Sequence, residues 1–169
     1  MPNSLDVAEL SVRPIIAVAG VVLRDDRVLL VRRAHAPDAG RWCFPGGKIE
    51  RGESIECSVV RELNEETGID VRAGQLLDVA TVLDYSSGNE IFQHYIVLLL
   101  LCQWLRGEPV AGDDALDAAW FDIPGLSAVD LVSCIDIVNM TERAIASEYR
   151  SGGAQVGCCS EWDPRRRWG

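Results

Sequence analysis

Gly47 to Ile69 reads GKIERGESIECSVVRELNEETGI and crowds Glu62, Glu65 and Glu66 around Arg61, with Glu53 upstream. Ser54 suits an N-cap, because its hydroxyl can accept from an orphan N–H of the first helical turn. Gly68 suits the position just past the last turn, where a left-handed residue closes a helix. The spacing therefore predicts one helix of about three and a half turns between them. On that helix Glu62, Glu65 and Glu66 project from one side, and like charges so placed destabilise a bare helix by roughly 0.2–0.5 kcal/mol per pair. A bound hard cation offsets the repulsion most directly. Magnesium prefers carboxylate oxygens, keeps several waters and is often shared with substrate phosphates. Ile55, Val59 and Leu63 fall beside the acidic side, with Val60 further round, which sets the glutamates at a cleft edge. Arg61 can neutralise part of the charge and hold Glu53 by a forked pair.

Gly47, Glu53, Arg61, Glu62, Leu63, Glu65, Glu66, Gly68 and Ile69 occupy every fixed position of the Nudix hydrolase signature, so the chain resembles that family. The resemblance covers roughly residues 15–149 and implies an α/β/α sandwich built on a mixed β-sheet, as do strands alternating with two helices on opposite sides. It implies a reaction in which water attacks a phosphorus of a nucleoside diphosphate linked to another group. The work is then mostly positioning and charge stabilisation, aided by metal. Carried over residue by residue, it makes Glu62 and Glu66 the main magnesium ligands, with manganese as an alternative ion. Glu65 is a third ligand, Glu53 a further ligand or orienting partner, and the Gly46 backbone carbonyl joins the shell. Arg61 holds Glu53. The general base is open among Glu53, Glu65 and the loop acids Asp113 and Asp114, with Asp117 behind them.

A chain of 169 residues, 48% hydrophobic and 25% charged, is the size of one domain. Residues 14–149 are read as that domain, 1–13 as an N-terminal arm and 150–169 as a flexible tail. A net charge of −10 argues against nucleic-acid binding by phosphate neutralisation. It leaves room for a small phosphorylated nucleotide, because a metal inverts the local field. The N-terminus lacks the basic start and apolar stretch of a signal peptide, and the apolar run Tyr95 to Cys102 is too short to span a bilayer. The expectation is a cytoplasmic protein without a membrane partner, its six cysteines reduced. A homodimer that exchanges its first residues is a further expectation.

In chain order, Ile15 to Leu23 and Val28 to Arg33 read as strands about the turn Arg24 to Arg27. Pro45-Gly46-Gly47 reads as a turn into the helix, Gln75 to Leu83 as a strand, and Ser86 to Asn89 as a turn. Ile91 to Leu105 is apolar on both alternating faces from Tyr95 onward, the pattern of a strand covered on both sides. Gly107 to Asp117 reads as an acidic loop, Ala118 to Phe121 as a short strand, and Ala128 to about Tyr149 as helix.

Arg33, Arg41 and Lys48 flank the cleft in sequence and are candidates for substrate phosphates. Trp42, Tyr85, Phe92 and Tyr95 are candidates for stacking on a base. His35 and His94 are isolated and receive no catalytic role. The segments Gly40 to Gly47 and His94 to Val97, with Gly112-Asp113-Asp114, resemble the ADP-ribose pyrophosphatase-like group. Tyr85 instead resembles a mark of dinucleoside polyphosphate hydrolases, and FPGGKIE with Trp104 and Gly107-Glu108-Pro109 resembles enzymes that cleave oxidised deoxynucleoside triphosphates. A non-catalytic nucleotide-binding module is the remaining alternative, against which the intact acidic set argues.

Overall fold

The computed structural model describes residues 13–36, 38–85, 91–112 and 115–150. Two β-branched runs, β1 (Ile15–Arg24) and β2 (Arg27–Arg33), form a hairpin. Its turn places Asp25 at a left-handed φ of 55°, which aspartate accepts better than most residues. β3 (Trp42–Cys43) pairs with β2, and β4 (Gly46–Lys48) pairs with β1. After α1 (Ile55–Thr67) come the long antiparallel strands β5 (Asp70–Tyr85) and β6 (Ile91–Arg106). β6 runs parallel to β1, and β7 (Ala115–Asp122) antiparallel to β2. A 3₁₀ turn (Ile123–Ala128) leads toward α2 (Ile137–Arg150). The seven strands form one mixed sheet along the path β3-β2-β1-β6-β5, with β4 and β7 beside it.

Strand alternation sends side chains to two cores. Val18, Val22, Leu29, Leu100 and Cys102 pack with Val59 and Leu63 of α1. Val21, Leu23, Leu30, Leu99 and Leu101 pack with Ile137, Met140 and Ala144 of α2. One helix thus covers each face, the expected α/β/α sandwich. Leu99 to Cys102 are buried on both sides of β6, as their unbroken apolar run predicts.

Several local expectations change. Gly46–Lys48 is a strand rather than a turn, because Ala17, Val18 and Ala19 pair with Lys48, Gly47 and Gly46. β1 thereby gives its first half to β4 and only its last residues to β2, at Leu23–Val28 and Arg24–Arg27. Asp117 lies within β7 opposite Arg32, not in a loop. The helix does not start at Ala128. The Trp42 N–H donates to the Asp130 carbonyl at 2.9 Å, and the Val132 N–H to the Trp42 carbonyl at 3.0 Å, which holds that stretch extended. Helix begins only where Asp136 accepts from the Asn139 N–H at 3.0 Å. Ile55, which helical spacing groups with Val59 and Leu63 beside the acidic side, is exposed, whereas Val59 and Leu63 are fully buried.

Cys43, Cys57, Cys102 and Cys134 are free thiols. Among the described residues no helix is long and apolar enough to cross a membrane. Asp113, Asp114, the Ser86 to Asn89 turn, and nearly all of the arm and tail lie outside the described residues.

Candidate active site

α1 forms where its ends are satisfied. Ser54 Oγ accepts from the Cys57 N–H at 3.1 Å. Gly68 adopts φ 68°, and its N–H returns to the Asn64 carbonyl at 2.8 Å. The helix seats closely on the sheet: a Cβ at Gly20 would stand 2.7 Å from both Leu63 methyls. Only a glycine in β1 allows this approach without moving Leu63.

Arg61 is the centre of an ionic network. Its Nε and Nη2 donate to the two oxygens of Glu53, each at 2.9 Å, in the forked geometry expected for the pair. Its Nη1 donates at 2.9 Å to both Glu62 and Glu65, and its Nη2 also reaches the Lys48 carbonyl at 3.2 Å. Glu62 lies directly against β4, where a Cβ on Gly47 would come within 2.5 Å of its carboxylate. Glu66 takes a different partner, accepting from the Gly46 N–H at 2.8 Å. Two of the three neighbouring glutamates are therefore tied to one guanidinium and the third to the backbone of β4. Among the described residues, no three acidic, histidine or cysteine side chains converge on one point.

Burial and pairing set the charges. Hydrogen bonds from Arg61, more than any other influence, hold the Glu53 carboxyl down at about 2. Loss of water around Glu62 raises its carboxyl above the ordinary value, and Arg61 only partly opposes this. The same carboxylates raise Arg61, Glu53 first, so the guanidinium stays charged throughout. Burial pushes the Cys43 thiol up to about 12.

The Glu53 shift has a pH consequence. A carboxyl depressed from 4.5 to about 2 stabilises the fold fully above its unfolded value, and that stabilisation is lost as pH falls through its folded value. Urea midpoints of the wild-type chain and Glu53→Gln should thus differ most at pH 5–7 and converge as pH drops toward about 2. A gap that stays constant with pH would mean that charge on Glu53 contributes nothing.

A cleft of about 800 Å³ opens beside β4. Of the residues singled out from sequence, Arg33, Gly46, Gly47, Lys48 and Glu66 line it, as do Tyr85, Phe92 and Tyr95. Glu53, Arg61, Glu62 and Glu65 do not; they form the network just described, linked to the cleft through Gly47 and the Lys48 carbonyl. Arg41 and Trp42 are also outside the lining. Arg41 is paired with Asp38 at 3.0 Å and Asp130 at 3.4 Å. Trp42 packs edge-on against Phe121 at 4.6 Å between centroids. Asp117, too, is absent from the lining. The cleft also takes in His35, from the loop after β2, and adds Asp84, Gln93 and Cys134, which no sequence pattern marks, because β5, β6 and the stretch after the 3₁₀ turn bring these three together.

The model of the NUDIX domain matches residues 13–133. The chain belongs to the Nudix hydrolase family. It is 37% identical over 117 residues to an ADP-ribose pyrophosphatase of Methanocaldococcus jannaschii, covering 69% of this chain and 67% of that one. It is 46% identical over 125 residues to a putative 8-oxo-dGTP diphosphatase 2 of Mycobacterium tuberculosis, covering 69% and 79%. A crystal structure of a MutT NUDIX hydrolase from Burkholderia pseudomallei superposes with a TM-score of 0.61 at 31% identity, covering 79% and 97%. Among the first curated relatives the match spans between 36% and 67% of the relative's own length. Members of the family generally need a divalent metal and act on small nucleotides.

The donor set fits a hard dication. Glu53, Glu62, Glu65 and Glu66 offer only carboxylate oxygen, and a single arginine binds three of them. Magnesium uses one or two carboxylates and completes its shell with waters and phosphate, so a ready-made protein cage is not required.

Proposed function

We propose that this chain is a magnesium-dependent pyrophosphohydrolase that cleaves a nucleoside diphosphate linked to another moiety, with ADP-ribose the first substrate. The observation that carries the reading is the meeting of Glu66, Lys48 and Arg33 in one cleft, backed by the Arg61-held carboxylates. Glu66 and Glu62 would hold the ion, with Glu65 and the Gly46 carbonyl as further donors and manganese as the alternative metal. Bound there, the ion supplies charge neutralisation and polarises a phosphoryl oxygen. Lys48 and Arg33 supply positive charge to the remaining phosphate oxygens.

Arg61 sets the positions of Glu53, Glu62 and Glu65, and positioning is much of what phosphoryl chemistry asks of a protein. Glu53, forked to Arg61 and held at about 2, is a poor proton acceptor at neutral pH. That leaves Glu65 and the loop acids Asp113 and Asp114 as candidates for the base. The 37% identity to the archaeal ADP-ribose pyrophosphatase supports the substrate choice. The 46% identity to the mycobacterial protein favours a second reading, hydrolysis of an oxidised deoxynucleoside triphosphate.

A product-release panel of ADP-ribose, NADH, diadenosine polyphosphates, CTP and 8-oxo-dGTP tests both. The expected result is turnover with magnesium that stops with a chelator and is greatest on ADP-ribose. Preference for 8-oxo-dGTP would select the second reading. No turnover on any member would overturn hydrolysis and leave a binding module.

A further inference from the structure

The last carbonyls of α1 lie past the reach of the helix's own N–H groups, and its last turn carries no basic residue to meet them. The segment after β6 supplies the donors. The Val110 N–H reaches the Thr67 carbonyl at 2.9 Å, and the Gly112 N–H reaches the Glu66 carbonyl at 3.0 Å. Gly112 lies flush against the helix. A Cβ there would stand 2.3 Å from the Glu65 carbonyl oxygen, short of the 3.4 Å at which ordinary contact begins. Unlike Gly68 and Gly107 it has no left-handed φ, so close approach alone calls for the glycine.

The same residue also reaches the opposite side of the cleft. Its carbonyl accepts from the Ala115 N–H at 3.0 Å, and Ala115 pairs with Arg33 where the β2–β7 register shifts. Glu66, Arg33 and Ala115 all line the cleft. At this end β2 has parted from β1, which meets it at Leu23–Val28 and Arg24–Arg27 and gives its first half to β4. Glu66 and Arg33 therefore face each other across a gap that no β1–β2 pairing closes. The covalent step Phe44-Pro45 from β3 to β4 is one bridge across it, and the hydrogen-bonded step through Gly112 is another.

We propose that Gly112 is a positioning residue for the hydrolysis: it sets the spacing between Glu66 and Arg33, and with it the fit of the cleft to a diphosphate. What the gap holds rests on the hydrolase reading above; the link through Gly112 does not. A methyl group at this position parts the loop from the helix by about 1 Å, and Ala115 with the Arg33 end of β2 follows the loop. A misplacement of about 1 Å costs roughly 10²-fold in a reaction that depends on alignment.

The test compares, in the full chain, Gly112→Ala with Gly74→Ala, whose Cβ meets the Leu101 carbonyl oxygen at 2.5 Å away from the cleft lining. Three readouts are taken with magnesium present: kcat and KM on the best substrate of the panel, binding of inorganic pyrophosphate by calorimetry, and the thermal midpoint. Gly112→Ala should lower kcat by about 10–100-fold and weaken pyrophosphate binding by about 10-fold. On an Arg33→Ala background it should cost less than about 3-fold further, because the group whose place it sets is gone. Gly74→Ala should lower the midpoint at least as far and leave kcat within about 2-fold. Ala115→Pro deletes the second link without touching α1 and should repeat the kcat loss; it stands in for Gly112→Ala if that variant does not fold. Unaltered kcat and pyrophosphate affinity, an undiminished loss on the Arg33→Ala background, an equal kcat loss in Gly74→Ala, or failure of both link variants to fold would each overturn the positioning role. A wild-type chain that turns over its substrate beside an indifferent Gly112→Ala removes that role and leaves the hydrolase. One that turns over nothing, yet loses pyrophosphate on Gly112→Ala only while Arg33 is present, removes the hydrolase and leaves the role. One that neither turns over nor binds removes both.

Discussion

Glu66→Gln should lower kcat on the best substrate by about 10²–10³-fold while the thermal midpoint stays close to that of the parent. The expectation follows from the two tasks the side chain performs. Its Oε2 accepts from the Gly46 N–H at 2.8 Å, and a glutamine carbonyl can make the same bond, so β4 stays docked to α1. What the amide cannot supply is negative charge facing the cleft beside Lys48 and Arg33. Steady-state kinetics across a magnesium titration, beside a circular-dichroism melt, reads both tasks at once. A variant with wild-type turnover would remove Glu66 from the metal site. A variant that fails to fold would place its importance in the β4 contact instead.

The second large effect is on folding. Gly46→Ala should destabilise the chain by about 3 kcal/mol or more, because its Cβ would stand 2.1 Å from the Val18 carbonyl oxygen and 2.7 Å from the Ala19 Cα. Those are backbone atoms within the β1–β4 ladder, and they cannot step aside without parting the strands. Gly47→Ala meets a different neighbour: its Cβ falls 2.5 Å from the Glu62 carboxylate, the far end of a side chain. That variant should fold, with Glu62 displaced and turnover reduced more than stability. Denaturant midpoints and kcat measured together separate the adjacent glycines. Equal behaviour of the two would contradict the geometry.

Much of α1 could be read from the chain alone because its information is local. Ser54 and Gly68 mark its ends, and the forked Arg61–Glu53 pair needs only a turn and two helical turns to form. β4 is different. Gly46-Gly47-Lys48 has no intrinsic strand preference and becomes a strand because β1 offers it an edge. The stretch from Val129 to Asp136 looked helical because Leu131, Val132 and Ile135 are apolar, but the backbone of Trp42 claims its hydrogen bonds. Arg41 and Trp42 sit beside the glycine-rich segment in sequence, yet pairing with Leu131 and contact with Phe121 turn them elsewhere. The site was legible where spacing along one helix suffices, and hidden where distant strands meet.

Because β1 divides one edge between two partners, the acid-bearing helix and the glycine strand hang from a common rail. The Gly20 N–H closes that joint on the Pro45 carbonyl at 2.9 Å, at the point where β4's pairing ends. The floor of the cavity thus has no hinge of its own. The spacing between Glu66 and Lys48 is therefore set by the strand ladder, through the Gly46 N–H that Glu66 accepts from, and not by side-chain packing alone.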